Sequence, residues 1–524
     1  MDIAKKKKII LLISVITAAI LLAGCASLLS GPQTGGGPDA LSEKTAKFNG
    51  IDVSRPVKLQ MYLIGDKPAD TDMVYAEVNK LLSRDINATL GLSFLSWGEW
   101  QQKYPVLFAS SENFDLIYTA TWAQYSQMAG KGAFLELTED MLAQYAPQTS
   151  RTMYPAAWEQ ARINGKVYML PMNYKEILGV VTMLRGDIME KYGVKIPQKY
   201  TDLADYYDAC LKIPGMTPND MGSDMDWFAM PEAHIPFTDL TYLEAGGTTG
   251  QYYFNPSEKN TVKVVDYYGT ENYLNDALLT KEWADRGYWQ EKAMVNKTPR
   301  KDSFAAGTSG MVTGNLSTIN GIYPSIAAAH SEWKVMVVDT YFGEPPVIKS
   351  YMQNGVAISR NSKNPERALM LLDLFRNDRR YYDLTFYGIE GRHYKLSSDD
   401  NSIIPLADNA GYPPEGSGCW GWRDDTLNRP VEGGIPNYAE LAGFWAEKAA
   451  WNKAQGFNFD DTKVKNEMAA VSELQNSYGK AIDYGFVDNV NSAVADFRDR
   501  LKKAGRDRIT EELQRQLDVF MQNN

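Results

Sequence analysis

Strand-forming and helix-forming segments alternate in this chain between residues 57 and 118. Residues 57–64, 88–95 and 114–118 are short runs rich in β-forming side chains, which predicts three strands. Residues 71–82 and 97–109 lie between them and carry apolar side chains at helical spacing. Because parallel strands need a crossover connection, this order predicts an α/β fold with a mainly parallel sheet.

Polar and aromatic residues follow each of the predicted strands. In parallel sheets, ligands bind at the carboxyl ends of the strands, so the loops after these strands form the primary candidate site. The candidate ligand-binding residues in these loops are Asp66, Lys67, Trp97, Thr119, Thr121 and Trp122.

An apolar segment precedes the predicted strands. Residues 5–8 are lysines, residues 9–22 form an almost unbroken apolar run, and Leu22-Ala-Gly-Cys25 ends it. A membrane-spanning helix needs about 20 apolar residues, so the segment predicts a signal peptide over residues 1–24. It resembles a lipoprotein signal, in which Cys25 receives a diacylglyceryl group that holds the protein on the membrane. A signal without lipidation is the alternative.

The stretch after Cys25 predicts a flexible tether over residues 25–54, because it is rich in Gly, Ser and Pro and lacks apolar periodicity. The globular part is expected to begin near Arg55-Pro56. The remaining chain is long enough for two or three domains.

The composition excludes several partners. The formal net charge of −11 repels nucleic acid and anionic lipid headgroups, so we expect neither as a ligand. The three histidines are scattered and the sequence has no CxxC or HExxH, so no metal or other cofactor is expected. Cys210 and Cys419 are expected to be buried free thiols, with a disulfide between them left open.

Four stretches together resemble a known family. They are Tyr62–Lys67; Phe114–Tyr118, similar to a "PDI" strand with Phe in place of Pro; Ile163–Pro171, similar to "NGK-x-Y-x-x-P"; and Phe304–Asn315, similar to "F-x-x-G-x-x-A-M-x-x-N/G". Each motif is weak alone, but their order and spacing resemble the extracellular solute-binding proteins of ABC importers, of the maltose-binding type. The resemblance covers roughly residues 55–400.

The resemblance implies two hinge-linked α/β lobes of the type II periplasmic-binding-protein-like fold. The implied boundaries are 55–173 and 341–380 for lobe 1, 174–340 and 381–400 for lobe 2, and 401–524 for a C-terminal domain packed on lobe 2. A ligand bound between such lobes favours their closure, and an ABC permease recognises the closed form without any bond being made or broken. We therefore expect a monomeric, non-enzymatic receptor on the extracytoplasmic face of the cell membrane.

The C-terminal part resembles a domain of uncharacterised role found in a subset of these lipoproteins. Apolar stripes at helical spacing run from Val490 to Leu501 and from Ile509 to Phe520, with Gly505 between them as a C-cap. Such stripes predict helices packed on the parent lobe rather than on a partner protein.

Aromatic residues near predicted loops indicate the ligand class. Aromatic faces cover the apolar faces of sugar rings, while polar side chains bind the hydroxyls, so an oligosaccharide is expected. Trp100 and Trp158 lie in helical runs and are expected in the core. The further candidate ligand-binding residues are Asn173, Tyr174, Glu176, Asn315, Trp420 and Trp422, with Arg423 beside them.

Two other functions remain open from the residues alone. A glycoside hydrolase would need two carboxylates at a set separation. The possible members of such a pair are Glu99, Asp115, Glu176, Asp187, Asp424 and Asp425, although Asp115 is expected to bond loop amides instead. A peptide receptor of the same fold would pair an extended ligand with a strand edge.

Overall fold

The computed structural model describes residues 47–110, 112–177, 179–222, 241–243, 252–254, 262–340, 342, 348–424, 426–449, 451 and 453–523. The predicted signal peptide, Cys25 and most of the predicted tether lie outside these residues. The strands are β1 (Lys47–Phe48), β2 (Ile51–Asp52), β3 (Val57–Ile64), β4 (Ala88–Leu95), β5 (Leu116–Thr119), β6 (Arg162–Ile163), β7 (Lys166–Val167), β8 (Met169–Pro171), β9 (Val180–Leu184), β10 (Thr241–Tyr242), β11 (Tyr252–Phe254), β12 (Val265–Asp266), β13 (Met311–Asn315), β14 (Met336–Asp339), β15 (Gly355–Ile358), β16 (Tyr394–Leu396) and β17 (Ile403–Pro405).

The helices are α1 (Thr71–Asp85), α2 (Trp100–Ala109), α3 (Tyr125–Gly130), α4 (Glu139–Tyr145), α5 (Pro147–Thr152), α6 (Pro155–Gln160), α7 (Gly186–Tyr192), α8 (Leu203–Cys210), α9 (Glu271–Asp285), α10 (Arg300–Ala305), α11 (Leu316–Ala329), α12 (Pro365–Asn377), α13 (Arg379–Tyr387), α14 (Tyr438–Lys448), α15 (Lys465–Leu474), α16 (Lys480–Asp483), α17 (Val490–Lys503) and α18 (Arg506–Asn523). None of the helices in the described ranges combines the length and apolarity needed to cross a membrane.

Lobe 1 is built on a five-stranded sheet in the order β4-β3-β5-β15-β8. β3 pairs in parallel with both β4 and β5, which confirms the parallel arrangement predicted for the first three strands. β15 runs antiparallel to β5 and to β8, so the far side of the sheet is mixed. The carboxyl ends of β3, β4 and β5 therefore lie at one edge of the sheet.

Lobe 2 contains a smaller sheet in the order β13-β9-β14, in which β9 is antiparallel to both neighbours. Helices α11 and α14 contribute buried side chains, among them Ile319 and Trp445, to the same core as Val181 and Met183 of β9. Within the described residues, the chain passes between the lobes three times: between β8 and β9, between β14 and β15, and between Asp424 and α14. These three crossings make up the hinge.

The C-terminal domain, residues 453–523, buries both predicted helical stripes. Val494 and Phe497 of α17 and Leu513 of α18 share one core with Tyr268 and Tyr273 of lobe 2. Gly505 separates the two helices with φ of +92°, which glycine adopts without steric cost. The domain thus packs on lobe 2.

Two of the predicted boundaries need correction. Residues 381–422 belong to lobe 1, because α13 packs against α1 and α12, and its Tyr382 and Phe386 lie in the lobe 1 core with Trp422. The predicted tether is also too long at its end. Residues 47–52 form the β1–β2 hairpin, and Val53 is buried in lobe 1 beneath an Asn87 side chain that donates to its carbonyl.

Cys210 and Cys419 are both buried free thiols, as expected. Burial raises the pKa of Cys210 to about 12, so this thiol is inert at neutral pH.

Candidate functional site

Three tryptophans from separate loops meet at the carboxyl edge of the lobe 1 sheet. Trp97 follows β4, Trp122 follows β5, and Trp420 comes from a helical turn at residues 419–422. The ring centroid of Trp97 lies 5.9 Å from that of Trp122 and 5.9 Å from that of Trp420, and it stacks on Trp420 at 28°. Trp97 is 37% exposed, whereas the other two are half-buried. We call these three residues the tryptophan platform.

The loop after β5 is shaped to hold Trp122. The Trp122 Nε1–H donates to the Gln353 carbonyl at 2.8 Å, and the Thr121 N–H donates to the Met352 carbonyl at 2.9 Å. The Thr119 hydroxyl is fully buried and donates to the Ala123 carbonyl of its own loop. Thr119 and Thr121 therefore position Trp122, and the prediction that they bind ligand directly is corrected.

The loop after β3 also lies beside the platform. A Cβ on Gly65 would come 3.7 Å from the Trp97 Nε1, so this loop borders the Trp97 indole. Asp66 is the next residue and is half-buried, which keeps it a candidate for a ligand hydroxyl. Lys67 is exposed, and its ammonium pairs with Asp72 at 2.7 Å rather than with the platform.

Polar side chains at and beside the crossings form what we call the hinge network: Glu176 and Asn354 lie in the first two crossings, Arg423 lies just before the third, and Glu415 lies in lobe 1. Arg423 Nη1 donates to Glu176 Oε1 at 2.9 Å, and its Nη2 donates to Glu415. Asn354 donates to Glu176 Oε2 at 3.0 Å and accepts from the Tyr118 hydroxyl. Tyr118 in turn packs against Trp122, with centroids 5.6 Å apart. The network therefore lies behind the platform.

Opposite charges face each other within the network, where one guanidinium pairs with two carboxylates. Burial raises the pKa of Glu176, and the neighbouring Arg423 opposes that rise. Burial also opposes the charge of Arg423, but Glu415 and Glu176 raise its pKa well above the usual value. The Arg423 guanidinium stands over the Tyr174 ring at 5.1 Å. Glu176 and Arg423 are thus engaged with each other, while half-buried Tyr174 remains a candidate for ligand contact.

Two further predictions, Trp422 and Asn173, are corrected by burial, while half-buried Asn315 stays a prediction as a ligand contact. Trp422 is 0% exposed and donates from Nε1 to the Thr385 hydroxyl in the lobe 1 core. Asn173 is buried, accepts from the Tyr154 N–H and donates to Asp424 at 2.8 Å. Asn315 caps α11, and its side-chain oxygen accepts from the Thr318 N–H at 2.9 Å.

Lobe 2 approaches the platform through a residue that the sequence did not indicate. The Lys297 side chain lies 3.9 Å from the position a Cβ on Gly98 would take, and its charge helps to lower the pKa of Glu99. The rims of the two lobes therefore meet beside Trp97. Among the described residues, no group of three or more His, Cys, Asp and Glu side chains is placed to hold a metal ion.

The comparisons with known proteins agree with this architecture. Residues 85–379 match the model of the family described as "Bacterial extracellular solute-binding protein", and residues 453–522 match "Domain of unknown function (DUF3502)". A "Carbohydrate ABC transporter substrate-binding protein" of Streptococcus pneumoniae serotype 4 (strain ATCC BAA-334 / TIGR4) is 24% identical over 521 residues, which is 97% of each chain.

Solved structures share the fold at low identity. The N-glycan transport solute binding protein (NgtS) from Streptococcus pneumoniae, in complex with Man1GlcNAc, superposes with a TM-score of 0.74 at 22% identity, covering 89% of this chain and all of that one. The alginate-binding protein AlgQ2 without calcium ion gives 0.64 at 16% identity, covering 88% of this chain and 98% of that one. With the family match spanning more than half of its length, this chain belongs to the bacterial extracellular solute-binding proteins and has their two-lobed type II fold.

Proposed function

We propose that this protein binds an oligosaccharide between its lobes and delivers it to an ABC importer. The tryptophan platform is the observation that carries the proposal. Trp97 offers an exposed indole face backed by two further indoles, and such a face matches the apolar C–H face of a sugar ring. Asp66, next to Gly65 in the loop that borders Trp97, is the neighbouring polar group for the hydroxyls, and half-buried Tyr174 beside Arg423 is a second candidate.

The placement of charge favours a neutral ligand. Arg423 of the hinge network pairs with both Glu176 and Glu415, so its positive charge is already engaged and is not offered to a ligand there. A peptide would need partners for its charged termini. The names of the S. pneumoniae relative and of NgtS, a carbohydrate and an N-glycan binder, agree with a sugar ligand.

Two of the carboxylates considered for a hydrolase, Asp115 and Asp424, hold loops in place. Asp115 accepts from the Gln60 N–H at 3.0 Å and from the Ser362 hydroxyl at 2.5 Å. Asp424 bonds Asn173 and Thr426. Carboxylates that hold loops in this way are unsuited to proton transfer at a glycosidic bond, so the protein is proposed to release its ligand unchanged.

Thermal unfolding with a panel of ligands tests the proposal. A ligand that binds only the native state stabilises it by RT ln(1 + [L]/Kd), about 2.7 kcal/mol at a hundredfold excess over Kd. We expect the melting temperature to rise with one glycan series and with no peptide, and chromatography of the glycan afterwards to show no product. A rise with peptides alone, or cleavage of the glycan, would contradict the proposal.

The lipid anchor is a separate proposal, since Cys25 lies outside the described residues. A diacylglyceryl group on Cys25 would hold the receptor on the extracytoplasmic face of the membrane, near its permease. The variant Cys25→Ser should move from the membrane fraction to the soluble fraction with unchanged ligand affinity. Retention on the membrane would contradict the anchor and leave the proposed ligand untouched.

A further inference from the structure

The first residues of the C-terminal domain reach across to lobe 1. Phe457 and Phe459 are buried in the core of the domain, and Asn458 between them faces the other way, as alternate residues of an extended segment do. The Ser126 hydroxyl, on α3 of lobe 1, donates to Asn458 Oδ1 at 2.7 Å. The Asn458 amide nitrogen lies 3.9 Å from the sulfur of Met352.

Other contacts extend this junction along residues 455–461. Gln455 donates to the Lys349 carbonyl at 3.0 Å. Gly456, with φ of +82°, lies so close to Gln160 of lobe 1 that a Cβ would come within 3.3 Å of it. Burial raises the pKa of Asp461, and the nearby charge of Lys131, at the end of α3, opposes that rise. The contact therefore has polar, steric and electrostatic components.

The rest of the C-terminal domain is fixed to lobe 2. Tyr273 of α9 donates to Asp483 at 2.9 Å, and Arg498 donates to the Tyr268 carbonyl at 2.7 Å. The Trp289 Nε1–H donates to the Tyr484 carbonyl at 2.9 Å. Together with the shared apolar core, these bonds attach the domain to lobe 2.

The lobe 1 end of the junction is also the support of the platform. Ser126 follows Trp122 by four residues, and Met352 precedes Gln353, whose carbonyl accepts the Trp122 Nε1–H. The junction is formed in the same structure in which Lys297 and Gly98 bring the rims of the lobes together. The contact is therefore present in an arrangement in which the rims of the lobes approach one another.

We propose that the C-terminal domain is an inter-lobe tie, in which residues 455–461, carried by lobe 2, hold α3 and residues 349–352 of lobe 1 and so stabilise the approached arrangement. This assigns a role to a domain for which the sequence indicated none. The effect of the tie on affinity rests on the proposed function, but its effect on the distance between the lobes does not.

A distance measurement on the full-length protein tests the tie. Spin labels at Lys80→Cys on α1 and Leu278→Cys on α9 lie on exposed positions of opposite lobes, and the native cysteines of the folded part are buried. Without ligand, Ser126→Ala and Asn458→Ala should each shift the distance distribution toward larger values. The double variant should shift it no further than one of the single variants, because both remove the same bond.

A matched control removes a serine hydroxyl bond that stays inside lobe 1. Ser83 donates to the Ala88 carbonyl, and Ser83→Ala should leave the distances unchanged. For the glycan found in the thermal panel, each tie variant should bind about three- to tenfold more weakly, the factor expected for one neutral hydrogen bond. Distances unchanged in both tie variants, or changed equally in the control, would overturn the tie. Failure of every glycan to bind the parent would overturn the proposed function alone.

Discussion

Two tryptophan-containing clusters in this protein differ in their exposure to solvent. In lobe 2, Tyr200 stacks on Trp283 at 5.0 Å and Trp289 packs beside them, and both tryptophans are no more than 2% exposed. In lobe 1, the tryptophan platform stands past the ends of β4 and β5 and leaves the Trp97 ring accessible. Aromatic content therefore does not indicate a binding site by itself; the position relative to the strand ends does.

The largest expected effect is on the buried cluster. Trp283→Ala should lower the free energy of unfolding by about 3–5 kcal/mol, because it removes a fully buried ring and leaves a cavity. Urea unfolding followed by circular dichroism measures this loss. Variant protein that remains folded should bind the glycan with the parental Kd. A loss of binding without a loss of stability would show that the buried cluster also contributes to the binding site.

The platform should respond in the opposite way. Trp97→Ala should weaken glycan binding by about 1–3 kcal/mol and change the stability little, because its ring is partly in solvent already. Trp97→Phe is the matched variant and should retain most of the affinity. A large fall in melting temperature with unchanged Kd would make Trp97 a structural residue like Trp283.

The hinge network, behind the platform, gives a prediction of pH dependence. Burial raises the pKa of Glu176 above its ordinary value of 4.5. The protonated carboxyl therefore contributes its full stabilisation below pH 4.5, and this contribution is lost as the pH rises through the raised pKa. Glu176→Gln carries no such proton and should gain stability relative to the wild type as the pH rises. Urea unfolding of both proteins over a pH series checks the sign.

Exposed Glu190 supplies the control for that series. It pairs with Lys334 at the surface, with more than half of each side chain exposed, so Glu190→Gln should follow the wild type at every pH. A stability difference between the wild type and Glu176→Gln that stays constant with pH would contradict a buried, titrating Glu176.

The smallest effect is expected at Lys67. Its ion pair with Asp72 is exposed, so Lys67→Ala should change the free energy of unfolding by no more than about 0.5 kcal/mol. Asp66→Ala, beside the Trp97 indole, should reduce glycan affinity more than Lys67→Ala does. Equal losses of glycan affinity in the two variants would indicate that Lys67 also contacts the ligand.

Local sequence patterns predicted the lobe 1 sheet well. β3 and β4 have the predicted bounds, because each is a continuous run of eight residues rich in β-forming side chains. Helix α2 begins at Trp100 rather than Trp97, since the Glu99 and Trp100 N–H groups both donate to the Ser96 carbonyl in a turn. That turn takes Trp97 out of the helix and places it in the platform, which apolar spacing alone does not reveal.

Tertiary contacts determine several features of the candidate site that local sequence patterns do not predict. Trp420 and Trp422 are two residues apart, and only the turn at 419–422 directs the first to the platform and the second into the core. Gln353 and Glu415 support the site through contacts between segments far apart in the chain, and no motif marked either of them. The position of Lys297 beside Gly98 depends on how the lobes approach one another, and no local sequence pattern encodes that approach.

The central claim is that the tryptophan platform binds a sugar ring, and calorimetric titration of the wild type and Trp97→Ala with the glycan from the thermal panel tests it most directly. We predict saturable binding to the wild type, a Kd about 5- to 150-fold higher for Trp97→Ala, and melting temperatures that differ little between the two proteins without ligand. Equal dissociation constants for the two proteins would contradict the claim.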